Sequence, residues 1–257
     1  ADRPRSRPDL GDRTDRVSSP APTQRLVLEL GAGERIVGDH LPGTLPGYLY
    51  LHGMGSVRAG EKSARLLDHA AQKGRAFTRF DFRGHGESSG QMGQVTIREI
   101  LEDTAQVLRA VGPCVLVGSS LGGLVGTFVT AQHADLVVGL TLLAPAFGLL
   151  ARLEHRLDPQ GRMWTSDGRS FHLAERVAAD ARTLDESSLP GRIHVPTLVV
   201  HGTADEVVPP AASERLFAAL ATPRKELWLV PGGGHRLNEI AAEIGPRTDA
   251  LVACWRG

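Results

Sequence analysis

Residues 114–130 read CVLVGSSLGGLVGTFVT. The apolar run Cys114-Val115-Leu116-Val117 stops at Gly118; Ser119, Ser120 and Leu121 follow, then Gly122-Gly123 and an apolar helical pattern. The stretch is G-x-S-x-G set between a buried strand and a helix, the setting in which a serine is held on a tight bend with its hydroxyl pointing out of a sheet. A side chain at Gly118 or Gly122 would crowd that bend. Ser120 is therefore the candidate nucleophile. The pattern recurs at Gly86-Glu87-Ser88-Ser89-Gly90. No strand runs into Gly86 and no helix opens at Gln91-Met92-Gly93, so Ser88 reads as a loop residue.

Outward from residue 114 the chain alternates strands with amphipathic helices. Strands are expected at 26–30, 35–41, 47–51 and 76–82, with helices at 63–73 and 97–111; in the latter Ile97, Ile100, Leu101, Ala105 and Leu108 share one face. After 114–130 come a strand at 136–143, a strand at 197–201, a helix at 210–220, a strand at 226–230 and a last helix from 236 to about 255. Alternation of this kind implies an α/β fold, a mostly parallel sheet covered on both faces. The opening meander of two or three strands suggests an antiparallel edge. Between 146 and 192 the alternation breaks into helical pieces around a Gly-, Pro- and Ser-rich interruption at 158–170. Residues 1–22 carry five Arg, four Asp and four Pro with almost no apolar side chain, and read as a flexible tail.

Sites in such sheets lie beyond the carboxyl ends of the strands, so polar groups at strand ends decide the chemistry. A serine hydroxyl attacks a carbonyl at neutral pH only with an imidazole beside it, and the imidazole needs a carboxylate to fix its tautomer. Asp205 follows the strand at 197–201, and His235 follows the strand at 226–230 in the loop Pro231-Gly232-Gly233-Gly234-His235. Chain order is Ser120, Asp205, His235. The developing oxyanion needs preorganised donors. The amide of Leu121, at a helix start, and the amide of Met54, in His52-Gly53-Met54-Gly55 after the third strand, are the candidates.

These motifs resemble those of the α/β-hydrolase superfamily, in particular its small esterases, lipases and thioesterases. The likeness runs from about 26 to 255 and rests on LYLHGMG at 49–55, FDFRGHGES at 80–88, VGSSLGG at 117–123, VVHGTADEVVP at 199–209 and PGGGH at 231–235. It implies the α/β-hydrolase fold, a Ser120–His235–Asp205 triad with Asp205 rather than Glu206 as the acid, and a lid over 146–192 inserted into a core made of 23–145 and 193–257. It also implies a serine hydrolase that cleaves small-molecule carboxylic esters, or as an alternative thioesters, through an acyl-enzyme intermediate. The oxyanion loop reads His-Gly-Met-Gly, not His-Gly-Gly-Gly, which argues against esterases of bulky tertiary alcohols. Thioesterase, acyltransferase and C–C hydrolase activities use the same triad; a non-enzymatic binding protein on this fold would usually have lost one member of it. His52, His85 and His201 are expected to support loops. Within the lid, Phe147, Leu150, Met163 and Trp164 are candidates to line an acyl pocket or to pack the lid onto the core.

Composition narrows the field. The chain has 257 residues, 41% hydrophobic and 23% charged, with formal net charge +0, which gives no long-range field for nucleic acid or an anionic membrane. Seven Arg and seven Asp or Glu between 146 and 192 cancel, so the lid offers no case for a polyanionic substrate. Cys114 and Cys254 make neither a disulfide framework nor a metal cluster. No metal-ligand spacing and no phosphate-binding glycine loop is present, so no cofactor is expected. No apolar run reaches membrane-spanning length. The chain starts at Ala1, which leaves room for a removed leader; the expected compartment is the cytoplasm.

Overall fold

The computed structural model describes residues 22–165 and 168–253. The tail assigned to 1–22 lies, but for its last residue, outside them, as do Cys254 and the end of the last helix. The elements in chain order are β1 (Gln24–Gly31), β2 (Glu34–Leu41), β3 (Thr44–Leu51), α1 (Glu61–Gln72), β4 (Arg75–Phe80), α2 (Ile97–Val111), β5 (Cys114–Ser119), α3 (Leu121–Gln132), β6 (Val137–Leu143), β7 (Arg162–Trp164), β8 (Ser170–His172), α4 (Glu175–Arg182), β9 (Thr197–Gly202), α5 (Pro210–Ala219), β10 (Lys225–Val230) and α6 (Ala241–Ala253). Eight strands form one sheet in the order β1-β2-β4-β3-β5-β6-β9-β10. β1 is antiparallel to β2 and β2 to β4, and every other pairing is parallel. This is an α/β-hydrolase fold.

The period of two in the central strands builds both halves of the core. Leu49, Leu51 and Leu116 face a cluster that includes Leu101, Leu108, Leu124 and Phe128 of α2 and α3. Their neighbours Tyr48, Tyr50, Val115 and Val117 face Leu66, Leu67 and Ala70 of α1 and Ile244 of α6. Full burial of such side chains contributes roughly 1.5–3 kcal/mol each. That argument also corrects one expectation. β3 does not extend the antiparallel meander; it is an interior parallel strand between β4 and β5, because both of its faces are apolar and must be covered.

Two local expectations also shift. The interruption at 158–170 contains an antiparallel hairpin, β7 paired with β8, three residues per strand and too short for periodicity to reveal. The last helix starts at Ala241 rather than 236, because Leu237 adopts a left-handed φ of 51° and breaks the turn after His235. Among the described residues no helix is long and apolar enough to cross a membrane.

Strand order positions the site. The chain passes from β3 outward to β4, then returns to the opposite side of β3 as β5. The carboxyl ends of β3 and β5 therefore flank a topological switch point, where open α/β sheets bind ligands. The loop 52–55 leaves β3 there, and Ser120 leaves β5 beside it.

Candidate active site

Ser120 has φ 54° and ψ −114°, a backbone conformation that L residues rarely adopt. Surrounding hydrogen bonds hold it. Its amide donates to the Leu143 carbonyl at 2.9 Å, and its carbonyl accepts from the amides of Gly123 at 2.9 Å and Ala146 at 3.0 Å. The bend also requires missing side chains. A Cβ at Gly118 would overlap the Gly122 carbonyl, and one at Gly122 would overlap the Leu51 carbonyl. Gly53 has a little more room: a Cβ there would stand 3.3 Å from that of Ser120, a tight contact rather than an overlap.

The three residues separated along the chain meet in a line. His235 Nε2 lies 3.1 Å from Ser120 Oγ, and His235 Nδ1 lies 2.7 Å from Asp205 Oδ2. Asp205 is buried and fully engaged. Oδ1 accepts the amides of Val207 at 2.8 Å and Val208 at 2.9 Å, and Oδ2 also faces His201 Nε2 at 3.0 Å. Burial pushes the carboxyl upward, but the hydrogen bonds from His201, His235 and Val208 outweigh it, and the group is held below the usual carboxylate range. With Asp205 ionised, His235 Nδ1 carries the hydrogen and Nε2 is free to accept one from the serine hydroxyl.

His201 stands behind this line. It is fully buried, its Nε2 faces both Asp205 Oδ2 and the Val208 carbonyl at 2.9 Å, and its Nδ1 lies 2.6 Å from Ser213 Oγ. Two acceptors at Nε2 require the hydrogen there, so Nδ1 accepts from Ser213.

His52 and His85 hold the loop that carries Met54. His52 Nδ1 donates to the Gly53 carbonyl at 2.8 Å and Nε2 accepts the Phe82 amide at 3.0 Å. His85 Nε2 accepts the Gly55 amide at 3.1 Å. Both rings must be neutral to accept. Burial, with the His85 ring close by, lowers His52 to about 4, and burial lowers His85 as well. Past the loop, Arg58 is fastened to Asp81, Asp39 and Glu87. Ser88, of the second G-x-S-x-G, donates to the Asp81 carbonyl at 2.6 Å and accepts the Val37 amide at 2.9 Å, which ties its loop to β2. The Leu121 amide heads α3, where no intrahelical acceptor exists.

Ser120 opens onto two cavities. One, of about 170 Å³, is bounded by Met54, Leu121, Leu149, Met163, Trp164 and Val208. A third, strongly apolar cavity shares Met54, Leu121 and Leu149 with it and adds Leu150 and Leu153. Trp164 stands at the surface with 55% exposure, whereas Leu150 is buried. Phe147 packs, half-buried, against the main apolar cluster. The hairpin β7–β8 closes over the region. Arg169 donates to the Gly55 carbonyl, and the Ala174 amide donates to Gly93 O at 2.9 Å. The cavity opposite, of about 260 Å³, is polar and includes Tyr50, Lys62, Arg236 and Asn238. Sequence reading missed this wall. Arg236 sits next to His235 and could have been noticed; Lys62 is distant along the chain and carries no motif.

Known proteins resemble this chain in sequence and in fold. The family described as serine aminopeptidase, S33, matches residues 48–166 and 170–239. The mitochondrial palmitoyl-protein thioesterase ABHD10 of Mus musculus is 29% identical over 217 residues, 78% of this chain and 72% of that protein. The mouse ABHD10 structure superposes with TM-score 0.79 at 24% identity, covering 90% of this chain and 98% of the other. Est1E of Butyrivibrio proteoclasticus, solved with ferulic acid bound, superposes with TM-score 0.74 at 22% identity, covering 88% and 99%.

Proposed function

The chain is an α/β hydrolase that belongs to the serine aminopeptidase S33 family, and on that premise we propose that it cleaves carboxylic esters through an acyl-enzyme intermediate. Ser120 Oγ attacks the carbonyl carbon as His235 Nε2 takes the hydroxyl proton, and the amides of Met54 and Leu121 receive the oxyanion. The tetrahedral adduct expels the alcohol, which leaves with the proton from His235. Water, deprotonated by the same ring, then attacks the acyl-serine, and its collapse frees the acid and restores Ser120. Asp205 holds the ring and offsets its transient charge. The observation that carries this mechanism is the pair of contacts at His235, 3.1 Å to Ser120 Oγ and 2.7 Å to Asp205 Oδ2.

The acyl group enters the apolar cavity past Met163 and Trp164 and runs toward Leu150, under residues 146–192, which act as a lid. A thioester is the second reading. The name of the ABHD10 relative favours it, and the mainly apolar linings of the two neighbouring cavities suit an acyl group. Graded p-nitrophenyl esters and acyl thioesters, with an aminoacyl anilide as a peptidase control, separate these bonds. Ser120→Ala is expected to abolish turnover of every substrate the parent accepts while retaining its circular dichroism. A fluorophosphonate is expected to label Ser120; an adduct on Ser88, or parental activity in Ser120→Ala, would refute the assignment.

A further inference from the structure

The polar cavity beside Ser120 carries two cations that no carboxylate neutralises. Lys62, in the first turn of α1, donates to the Arg236 carbonyl and, at 3.4 Å, to Asn238 Oδ1, both uncharged acceptors. Among the described residues no acidic oxygen lies within ion-pair distance of Lys62 or Arg236. Arg236 is exposed, whereas Lys62 is partly buried; by contrast Arg58, Arg75, Arg79 and Arg83, all largely buried, are each paired with carboxylates. Glu61, at the cavity wall, and Glu239 act on Lys62 only from longer range. Burial, reinforced by the Arg236 charge, draws the Lys62 ammonium down to about 8. The amino end of α1 also borders the cavity through Gly60 and Glu61 and adds its positive pole. A half-desolvated cation without a counter-ion is costly, and an anion delivered with substrate would offset that cost.

We infer that this cavity receives the leaving-group half of the substrate, and that this half bears a carboxylate or phosphate held by Lys62 and Arg236. The inference rests on the hydrolase mechanism proposed above and adds which half of the substrate lies where. The other cavity is lined mainly by apolar side chains, with the exposed Arg156, which donates to the Val207 carbonyl, also at its wall, and it shares Met54, Leu121 and Leu149 with a second, strongly apolar cavity, so it is assigned the acyl chain. His235, which must protonate the departing oxygen or sulfur, borders both cavities and immediately precedes Arg236, so a proton can reach a leaving group on the polar side. The reacting bond thus lies between a mainly apolar pocket and a polar one that holds Lys62 and Arg236.

The test compares one acyl group on three leaving groups: 4-hydroxybenzoate, 4-hydroxyphenyl phosphate and the uncharged 4-hydroxybenzamide. The quantity read is kcat/KM for each anionic ester divided by that for the neutral one, so each variant is its own reference. The wild-type ratio is expected to be about tenfold, the worth of one charge-assisted hydrogen bond, and carried by KM. It should fall toward one in Lys62→Gln and Arg236→Gln, invert in Lys62→Glu, and shrink in wild type at high salt. The two anionic arms show whether carboxylate or phosphate is preferred. Ratios near one in wild type, insensitive to salt, overturn the inference while leaving ester hydrolysis standing. Failure to cleave any of the three overturns the hydrolytic mechanism and this inference with it. The salt series uses wild type alone, so it decides the matter even where a variant does not fold.

Discussion

Acid should destabilise this protein well above the range in which carboxylates titrate, and His52 is the main cause. Its Nε2 accepts the buried Phe82 amide and its Nδ1 donates to Gly53, so the folded state needs the neutral ring. The folded value lies at about 4, against the ordinary 6.5. A lowered histidine means that the unfolded chain takes up the proton first as pH falls. The stabilisation is therefore complete above about pH 6.5 and is lost progressively down to about pH 4. The whole interval corresponds to roughly 3 kcal/mol, of which about 2 kcal/mol should already be gone at pH 5. His85, lowered for the same reason, acts in the same direction. Asp205, lowered among the carboxylates, contributes only at more acid pH and does not confuse the window. Urea unfolding followed by circular dichroism at pH 7.5, 6 and 5 measures the loss. His52→Gln can still accept and donate but does not titrate. It is expected to be less stable at pH 7.5, through lost packing of the ring 4.5 Å from that of Phe82, yet to lose about 2 kcal/mol less between pH 7.5 and 5. Equal losses in the two proteins would refute the role of His52.

Gly122→Ala drives a Cβ into the Leu51 carbonyl, and a fall of about 3 kcal/mol or more in unfolding free energy, or insoluble expression, is expected; stability within 0.5 kcal/mol of wild type, on the same scale, would contradict the packing of the bend. His201→Ala removes a donor from Asp205. If His201 positions the acid, the acid limb of the kcat/KM profile moves to higher pH and kcat falls about tenfold, whereas a purely structural role would change thermal stability alone. Met163→Trp fills much of the 170 Å³ cavity, and kcat/KM for octanoyl esters relative to acetyl esters should drop about tenfold or more; an unchanged ratio would move the acyl site elsewhere.

How far the sequence reached depended on the distance over which each constraint acts. The bend at Ser120 was legible because its requirements are local: glycine where a Cβ has no room, a left-handed φ at the serine, an apolar strand before and a helix after. Asp205 and His235 were legible because strand ends punctuated by Gly and Pro announce themselves, and because their order follows from strand succession. The interior place of β3, the hairpin at 162–172 and the start of α6 were not, since short strands carry little periodicity and neighbours in a sheet are chosen by packing. Least visible of all was the cationic wall. Lys62 and Arg236 stand 174 positions apart at the ends of one hydrogen bond, and neither belongs to any pattern. Taken alone, the sequence determined which residues could do chemistry, since backbone sterics and apolar alternation operate over a few positions. Only the tertiary structure decided which charges face Ser120 and which histidines must stay neutral, because burial and electrostatic surroundings are properties of residues brought together across the sheet.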